Sequence, residues 1–255
     1  MTSDDITIHR GLTGVYFDRS ATTFIDGKNG VLEYRGYNIN QLAEHSTFEE
    51  TGYLLIHGKL PTQTELNEFD AELKAARELP EQVFDVLELV KDSHPMDALR
   101  TAVSALASFD EDRNDNSPEA TIRKGNRLTS QVPSIVMAHH NIRQGKDPIK
   151  PSTVLNHAGN FLYMLNGDEP SAATAELMDK DFVLHADHGS NASAFTARVV
   201  AGTAADIHGA VTAGIAALSG PSHGGAAENV MQMAKEIGKP ENAADYVKNL
   251  LSNRE

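Results

Sequence analysis

The sequence predicts a mostly α protein with a short β-hairpin near its start. Three observations point there. Strand and turn signals are confined to one early stretch, apolar residues beyond it recur three and four apart, and helix-capping residues punctuate them. The early stretch is "TTFIDGKNGVLEY", in which Asp-Gly and Asn-Gly lie between short apolar runs, the pattern of a hairpin. After "YRGYNI" the signals turn helical.

In "STFEETGYLLIHG" a capping box at Ser46 and Glu49 opens a helix that Gly58 stops. The box returns at Thr62 and Glu65, ahead of Leu66, Phe69 and Leu73 on one face. "PEQVFDVLELVKD" aligns Val83, Phe84, Leu87 and Val90. "HPMDALRTAVSALASF" starts at Pro95 and is expected to bury Met96, Leu99, Val103 and Leu106. A long helix, kinked at Pro133, follows in "IRKGNRLTSQVPSIVMAHHNIRQG", and "STVLNHAGNFLYMLNG" ends on Asn-Gly. Residues 206–219, "DIHGAVTAGIAALS", have helical period and almost no bulk, so that helix is expected to be approached closely on several sides. The acidic stretch "FDEDRNDNSPEAT" at 109–121 is similar in outline to a calcium loop. It lacks the turn glycine and the closing bidentate glutamate, and reads as a solvated connector.

A chain of 255 residues holds one large domain or two modest ones. It has no cysteine, which removes disulfides and zinc–thiolate sites. Its 36 acidic and 22 basic residues give a net charge of −14, the wrong sign for a nucleic-acid partner. The opening "MTSDDITIHRGL" lacks a basic start and an apolar core, so no secretory signal is expected. The most apolar run, 199–221, includes Asp206 and His208 and is too polar for a membrane span. A soluble cytoplasmic protein is the expectation. The acidity fits two readings, adaptation to high salt or ordinary acidity.

Of eleven histidines, His57, His139 and His140 ride helices in surface or packed positions. Two clusters stand apart. In "LHADHGSNASAF", His185 and His188 lie three apart around Asp187, with Ser190, Asn191 and Ser193 following. A metal could be shared by two such histidines, but no third ligand is identified by spacing and the His-Glu-x-x-His pattern is absent, so no metal is expected. In "SGPSHGGAAENV", His223 stands among Gly220, Gly224 and Gly225 just before a helix. The glycines clear space for a ligand, and a helix start offers free N–H donors and a positive dipole end that disfavours a protonated imidazole. A neutral imidazole there can donate to a developing oxyanion.

"LHADHGSNASAFTARVV" and "AGIAALSGPSHGGAAENVM" together resemble the signature region of the citrate synthase family, which includes 2-methylcitrate synthase. "LEYRGYNINQLAEHSTFEETGYLLIHGKLPTQTEL", "HPMDALRTAVSAL", "RLTSQVPSIVMAHHNIRQGKDPI" and "FLYMLNGDEP" are similar to family blocks in the same order. The resemblance implies a multi-helical homodimer that condenses oxaloacetate with acetyl-CoA without a metal or cofactor. It implies that His223 is catalytic, hydrogen-bonding the thioester carbonyl and stabilising the enol. It makes His188 the oxaloacetate-binding histidine, with Asn191 and Ser193 as supporting polar residues. Ser222 departs from the Leu or Ala common in relatives.

The family pattern also implies a further segment, with a Gly-x-Gly-His-Arg motif, a proton-abstracting aspartate and more arginines, that these 255 residues do not include. The resemblance therefore assigns 1–237 to a large helical domain and 238–255 to the start of a largely absent small domain. Propionyl-CoA in place of acetyl-CoA, a non-catalytic helical dimerisation protein, and a metal hydrolase on His185 and His188 stay open as alternatives. If the acidity is a salt adaptation, the melting temperature rises from low to molar potassium chloride as self-repulsion is screened; a flat or falling profile leaves ordinary acidity.

Overall fold

The computed structural model describes Gly14 and residues 18–253. The first thirteen residues, on which the expectation of no secretory signal rests, lie outside the described residues, as do 254 and 255. Strands β1 (Thr23–Asp26) and β2 (Val31–Tyr34) form the expected antiparallel hairpin, and β3 (Tyr37–Asn38) adds a short third strand. Asp26 fastens the turn by accepting the Lys28 and Asn29 N–H groups. The chain reverses again between β2 and β3 with Arg35 and Gly36 at φ 51° and 87°. Arg35 Nη2 donates to the Leu55 carbonyl at 2.7 Å and moors the sheet to the helices.

Helices α1 (Ile39–His45) and α2 (Phe48–His57) follow at once. The capping box of α2 is one residue later than expected: Thr47 and Glu50 form it, while Ser46 caps the end of α1. The shift releases Glu49, which is buried and accepts the His157 N–H at 2.8 Å, at the start of α7 (His157–Asn166). Asp179, on α8 (Ala172–His185), does the same for α2 by accepting the Phe48 N–H at 3.2 Å. Helix starts leave N–H groups without partners, and here acids from other helices supply them.

Helix α3 (Gln63–Ala75) keeps its predicted box at Thr62 and Glu65 and buries Phe69 and Leu73. Helices α4 (Glu81–Leu89), α5 (Pro95–Leu106) and α6 (Pro118–Arg143) enclose the main core, where Val83, Leu87, Val103 and Ile135 are fully buried. Each such side chain contributes roughly 1.5–3 kcal/mol by leaving water. On α5 the expected Val103 and Leu106 are buried together with Ala98 and Ala102, while Met96 and Leu99 stay partly exposed; the alanines let α5 lie close against α10 (Ile207–Leu218). Helix α6 continues through Pro133.

Helices α9 (Ala192–Ala201) and α10 form the tight pair that the small residues of 206–219 predict. A Cβ on Gly214 would lie 3.3 Å from the Ser193 carbonyl oxygen. Helices α11 (Gly225–Ile237) and α12 (Ala243–Asn253) close the described chain. Beyond Ile215 no described residue is buried, and Val230, Met231, Val247 and Leu251 face outward.

The acidic stretch 109–121 is mostly exposed, as a solvated connector should be, but it is tied to the helix that follows. Arg123 and Arg127 each grip Asp112 and Arg127 also binds the buried Asp110, while fully buried Lys124 donates to the Asp115 carbonyl at 2.6 Å. The cations stand three and four apart on the first turns of α6, so one helix face folds back over the loop. The two arginines hold the Asp112 carboxyl well below its usual range. His208, buried with its ring nitrogens each 3.5 Å from a carboxylate of Asp110 or Asp206, extends the network into α10; burial lowers its pKa against the pull of both acids.

Two buried groups titrate in opposing directions. Burial, aided by the Glu49 carboxylate, pushes Asp179 up to about 6, and burial beside Arg77 pushes His157 down to about 4. As pH falls, Asp179 takes up its proton earlier in the folded state, which adds stability. His157 takes it up earlier in the unfolded state, which removes stability over much of the same window. Asp179→Asn keeps an acceptor for Phe48 but has no charge to bury. The variant should exceed wild type at pH 8 by on the order of 2 kcal/mol and lose that advantage by about pH 4. Urea unfolding across that range checks it; an advantage independent of pH would refute the account.

Candidate functional site

The two histidine clusters lie at the ends of the α9–α10 pair. His188 sits in the loop between α8 and α9 and is exposed. Asn191 caps α9, its Oδ1 accepting the Ala194 N–H at 2.9 Å. Ser193 Oγ donates to the same Oδ1 at 2.7 Å and lies 2.9 Å from His223 Nε2. His223 itself is half-buried.

This chain of three ties the tautomer of His223 to the turn of one hydroxyl. An Asn oxygen that accepts a backbone N–H only accepts, so the Ser193 hydroxyl spends its hydrogen on Asn191. With the hydroxyl so turned, the Ser193 oxygen accepts from His223, which then carries its proton on Nε2. A neutral His223 in this arrangement presents Nδ1 as an acceptor. If Ser193 turns its hydroxyl to Nε2, the proton moves to Nδ1 and that atom becomes a donor.

The glycines around His223 have a different reason from the one expected. A Cβ on Gly224 would fall 2.5 Å from the Leu218 carbonyl oxygen, and one on Gly225 would fall 3.0 Å from that of Gly220. They let backbone meet backbone at the α10–α11 corner. Nor are the N–H groups there free: Gly224 donates to Leu218, Gly225 to Gly220 and Ala226 to His223. The corner holds the His223 backbone rigidly and leaves its side chain to Ser193.

His185 and His188 do not share a helix face. His185 is the last residue of α8, its Nδ1 2.9 Å from the Asp181 carbonyl oxygen, and His188 lies beyond the helix end. Among the described residues no group of three His, Asp or Glu side chains is placed to hold a metal. The loop bearing His188 is instead fastened to the hairpin. Tyr34, fully buried, donates from its hydroxyl to the Leu184 carbonyl at 3.1 Å and accepts the Asp187 N–H at 3.2 Å. Its cross-strand partner Thr23 donates to the Asp187 carboxylate, which also accepts the Gly189 N–H at 3.2 Å. Gly189 has φ +66°, a backbone conformation few other residues adopt, under Ile25. Burial raises the Tyr34 pKa and keeps its hydroxyl protonated. Nothing in the local pattern of the hairpin marks Thr23 or Tyr34 as partners of this loop.

Residues 11–255 match the family model described as citrate synthase, C-terminal domain. The chain is 46% identical over 249 residues to a citrate synthase of Deinococcus radiodurans, covering 97% of this chain and 66% of that protein. It is 46% identical over 254 residues to a citrate synthase of Haloferax volcanii, covering 97% and 67%. A 2-methylcitrate synthase of Mycobacterium tuberculosis is 39% identical over 249 residues, covering 97% and 63%. The solved citrate synthase of Pyrobaculum aerophilum superposes with a TM-score of 0.91 at 38% identity, over 98% of this chain and 64% of that one. The chain thus spans about two thirds of the length of the curated relatives it matches. With the helical order, the α10–α11 corner and these matches in agreement, the chain belongs to the citrate synthase family.

Proposed function

We propose that the protein containing this chain carries out the condensation of acetyl-CoA with oxaloacetate. A base takes a proton from the acetyl methyl group, the resulting enol carbon bonds to the ketone carbon, the ketone oxygen gains a proton, and water cleaves the thioester to give citrate and CoA. The observation that carries this reading is the Asn191–Ser193–His223 chain, which joins the two signature segments through one hydroxyl. His223 donates to the thioester carbonyl as charge gathers there, and Ser193, turned to its Nε2, frees the Nδ1 proton for that bond. His188 holds oxaloacetate from its exposed position in the α8–α9 loop. In this reading the base and the group that polarises the ketone come from the third of the family's length that this chain does not span.

The chemistry is carried by hydrogen-bond donors and calls for no metal or organic cofactor. Propionyl-CoA is the competing acyl donor, supported by the 39% identical relative named 2-methylcitrate synthase, and one methylene is worth only about 1–3 kcal/mol in a pocket. The break between domains falls between residues 237 and 238 in this reading, supported by the φ of +69° of Gly238 at the end of α11. Cytoplasmic localisation belongs to the same reading, supported by a net charge of −14 that suits a freely diffusing enzyme. No helix among the described residues is long and apolar enough to cross a membrane.

A homodimer completes the proposal. An apolar groove of about 520 Å³ runs between α6 and α10, with Leu128, Val132 and Val136 facing Ile207 and Val211. A second hollow on the far side of Ile207 and Val211 is floored by Ala197, Ala201 and Ala210, so a small-sided surface stands open for close helix contact. Sedimentation at micromolar concentration in high salt should give a dimer, and a monomer would count against it. In the full-length enzyme His188→Ala should raise the oxaloacetate KM about tenfold or more, whereas His223→Ala should mainly lower kcat, by about a hundredfold or more. Near-normal turnover in His223→Ala would return that histidine to a turn residue.

A further inference from the structure

We infer that one rung of the N-terminal hairpin, Thr23 and Tyr34, positions the His188 loop through Asp187 and thereby sets the affinity for the dicarboxylate substrate; the inference rests on the reading of His188 as an oxaloacetate ligand. Thr23 and Tyr34 face each other across β1 and β2, and both reach the same short segment, 184–187. Tyr34 holds its two backbone ends, the Leu184 carbonyl and the Asp187 N–H. Thr23 holds the Asp187 side chain, which in turn closes onto the Gly189 N–H. His188 is therefore the one residue enclosed by the Asp187–Gly189 bond, with its backbone clamped on both sides. Its side chain is left exposed.

The burial pattern separates this arrangement from ordinary packing. Tyr34 is fully buried and belongs to the small core with Leu42, Leu54 and Val183, so its ring anchors the rung while its hydroxyl works at the loop. Thr23 is only half-buried, and its contact with Asp187 adds little to that core. Removing one hydroxyl there changes the pose of a loop and leaves the fold intact. Thr23, Tyr34 and Asp187 are positioning residues, since they act on substrate only through His188.

The test compares Thr23→Val, Asp187→Ala, Asp187→Asn and His188→Ala in the full-length enzyme, with Asp26→Ala as a control. Asp26 fastens the far tip of the same hairpin and touches neither Asp187 nor His188. Thr23→Val should raise the oxaloacetate KM roughly fivefold to tenfold, the effect of one lost hydrogen bond, and Asp187→Ala, which loses the bonds to Thr23 and Gly189, by at least as much, with the acetyl-CoA KM and kcat within about twofold of wild type. Asp187→Asn, which can still accept from Gly189 and bond to Thr23, should restore a near-normal KM, and Asp26→Ala should leave it unchanged. An unchanged oxaloacetate KM in Thr23→Val and Asp187→Ala, beside a raised one in His188→Ala, would overturn the bridge and leave the reading of His188 standing. An Asp187→Asn enzyme as impaired as Asp187→Ala would also overturn it, since charge and not the bridge would then matter. An unchanged KM in His188→Ala would overturn the reading of His188 and the inference with it.

Discussion

The fold depends on how the bare N–H groups at helix starts find acceptors. A chain this rich in helices must satisfy a set of such donors at every start, or bury them at a cost of about 1–3 kcal/mol each. Side chains next door serve α3 and α9, through Thr62 and Asn191. Helix α7 draws on Glu49 of α2 in addition to its own cap, Asn156, and α2 draws on Asp179 of α8 in addition to its own Thr47. Capping across elements turns a local requirement into tertiary structure, and it fixes α2, α7 and α8 as a unit. That unit supports α8, whose end delivers the loop with His188.

The same requirement decides what was legible in the sequence. Where acceptor and donor are neighbours, the pattern is complete: the hairpin turn at Asp26, the Thr62–Glu65 box and the Asn191 cap all follow from adjacent residues. "STFEE" contains two overlapping boxes, Ser46 with Glu49 and Thr47 with Glu50. Only the distant need of His157 for Glu49 selects the second. The ties of the acidic stretch are hidden for a related reason, since its partners Arg123, Lys124 and Arg127 sit on the helix that follows and fold back upon it. Thr23 and Tyr34 carry no local mark at all, because their partner lies some 150 residues onward.

At the candidate site the residue types were readable and the physical reason was not. His223, Ser193 and Asn191 were singled out from sequence and meet in the structure. The glycines beside His223 suggested room for a ligand, yet the hydrogens of Gly224 and Gly225 face carbonyl oxygens. A glycine needed for close backbone packing and one needed for ligand access look identical in a sequence. The difference lies in what a Cβ would strike, and that is a tertiary fact.

The hairpin rung has a consequence for the order in which the molecule comes together. Its bonds close chain segments of 150 to 164 residues, among the longest-range polar contacts of the fold. The entropy lost on closing a loop grows only with the logarithm of its length, but contacts of this range are the slow ones to form. On a growing polypeptide the hairpin emerges before the helices that follow it and waits until residue 187 has been made before its loop exists. An element made before α1–α8 is thus among the last to reach its final partners, and the His188 loop takes its shape only after those eight helices have been synthesised.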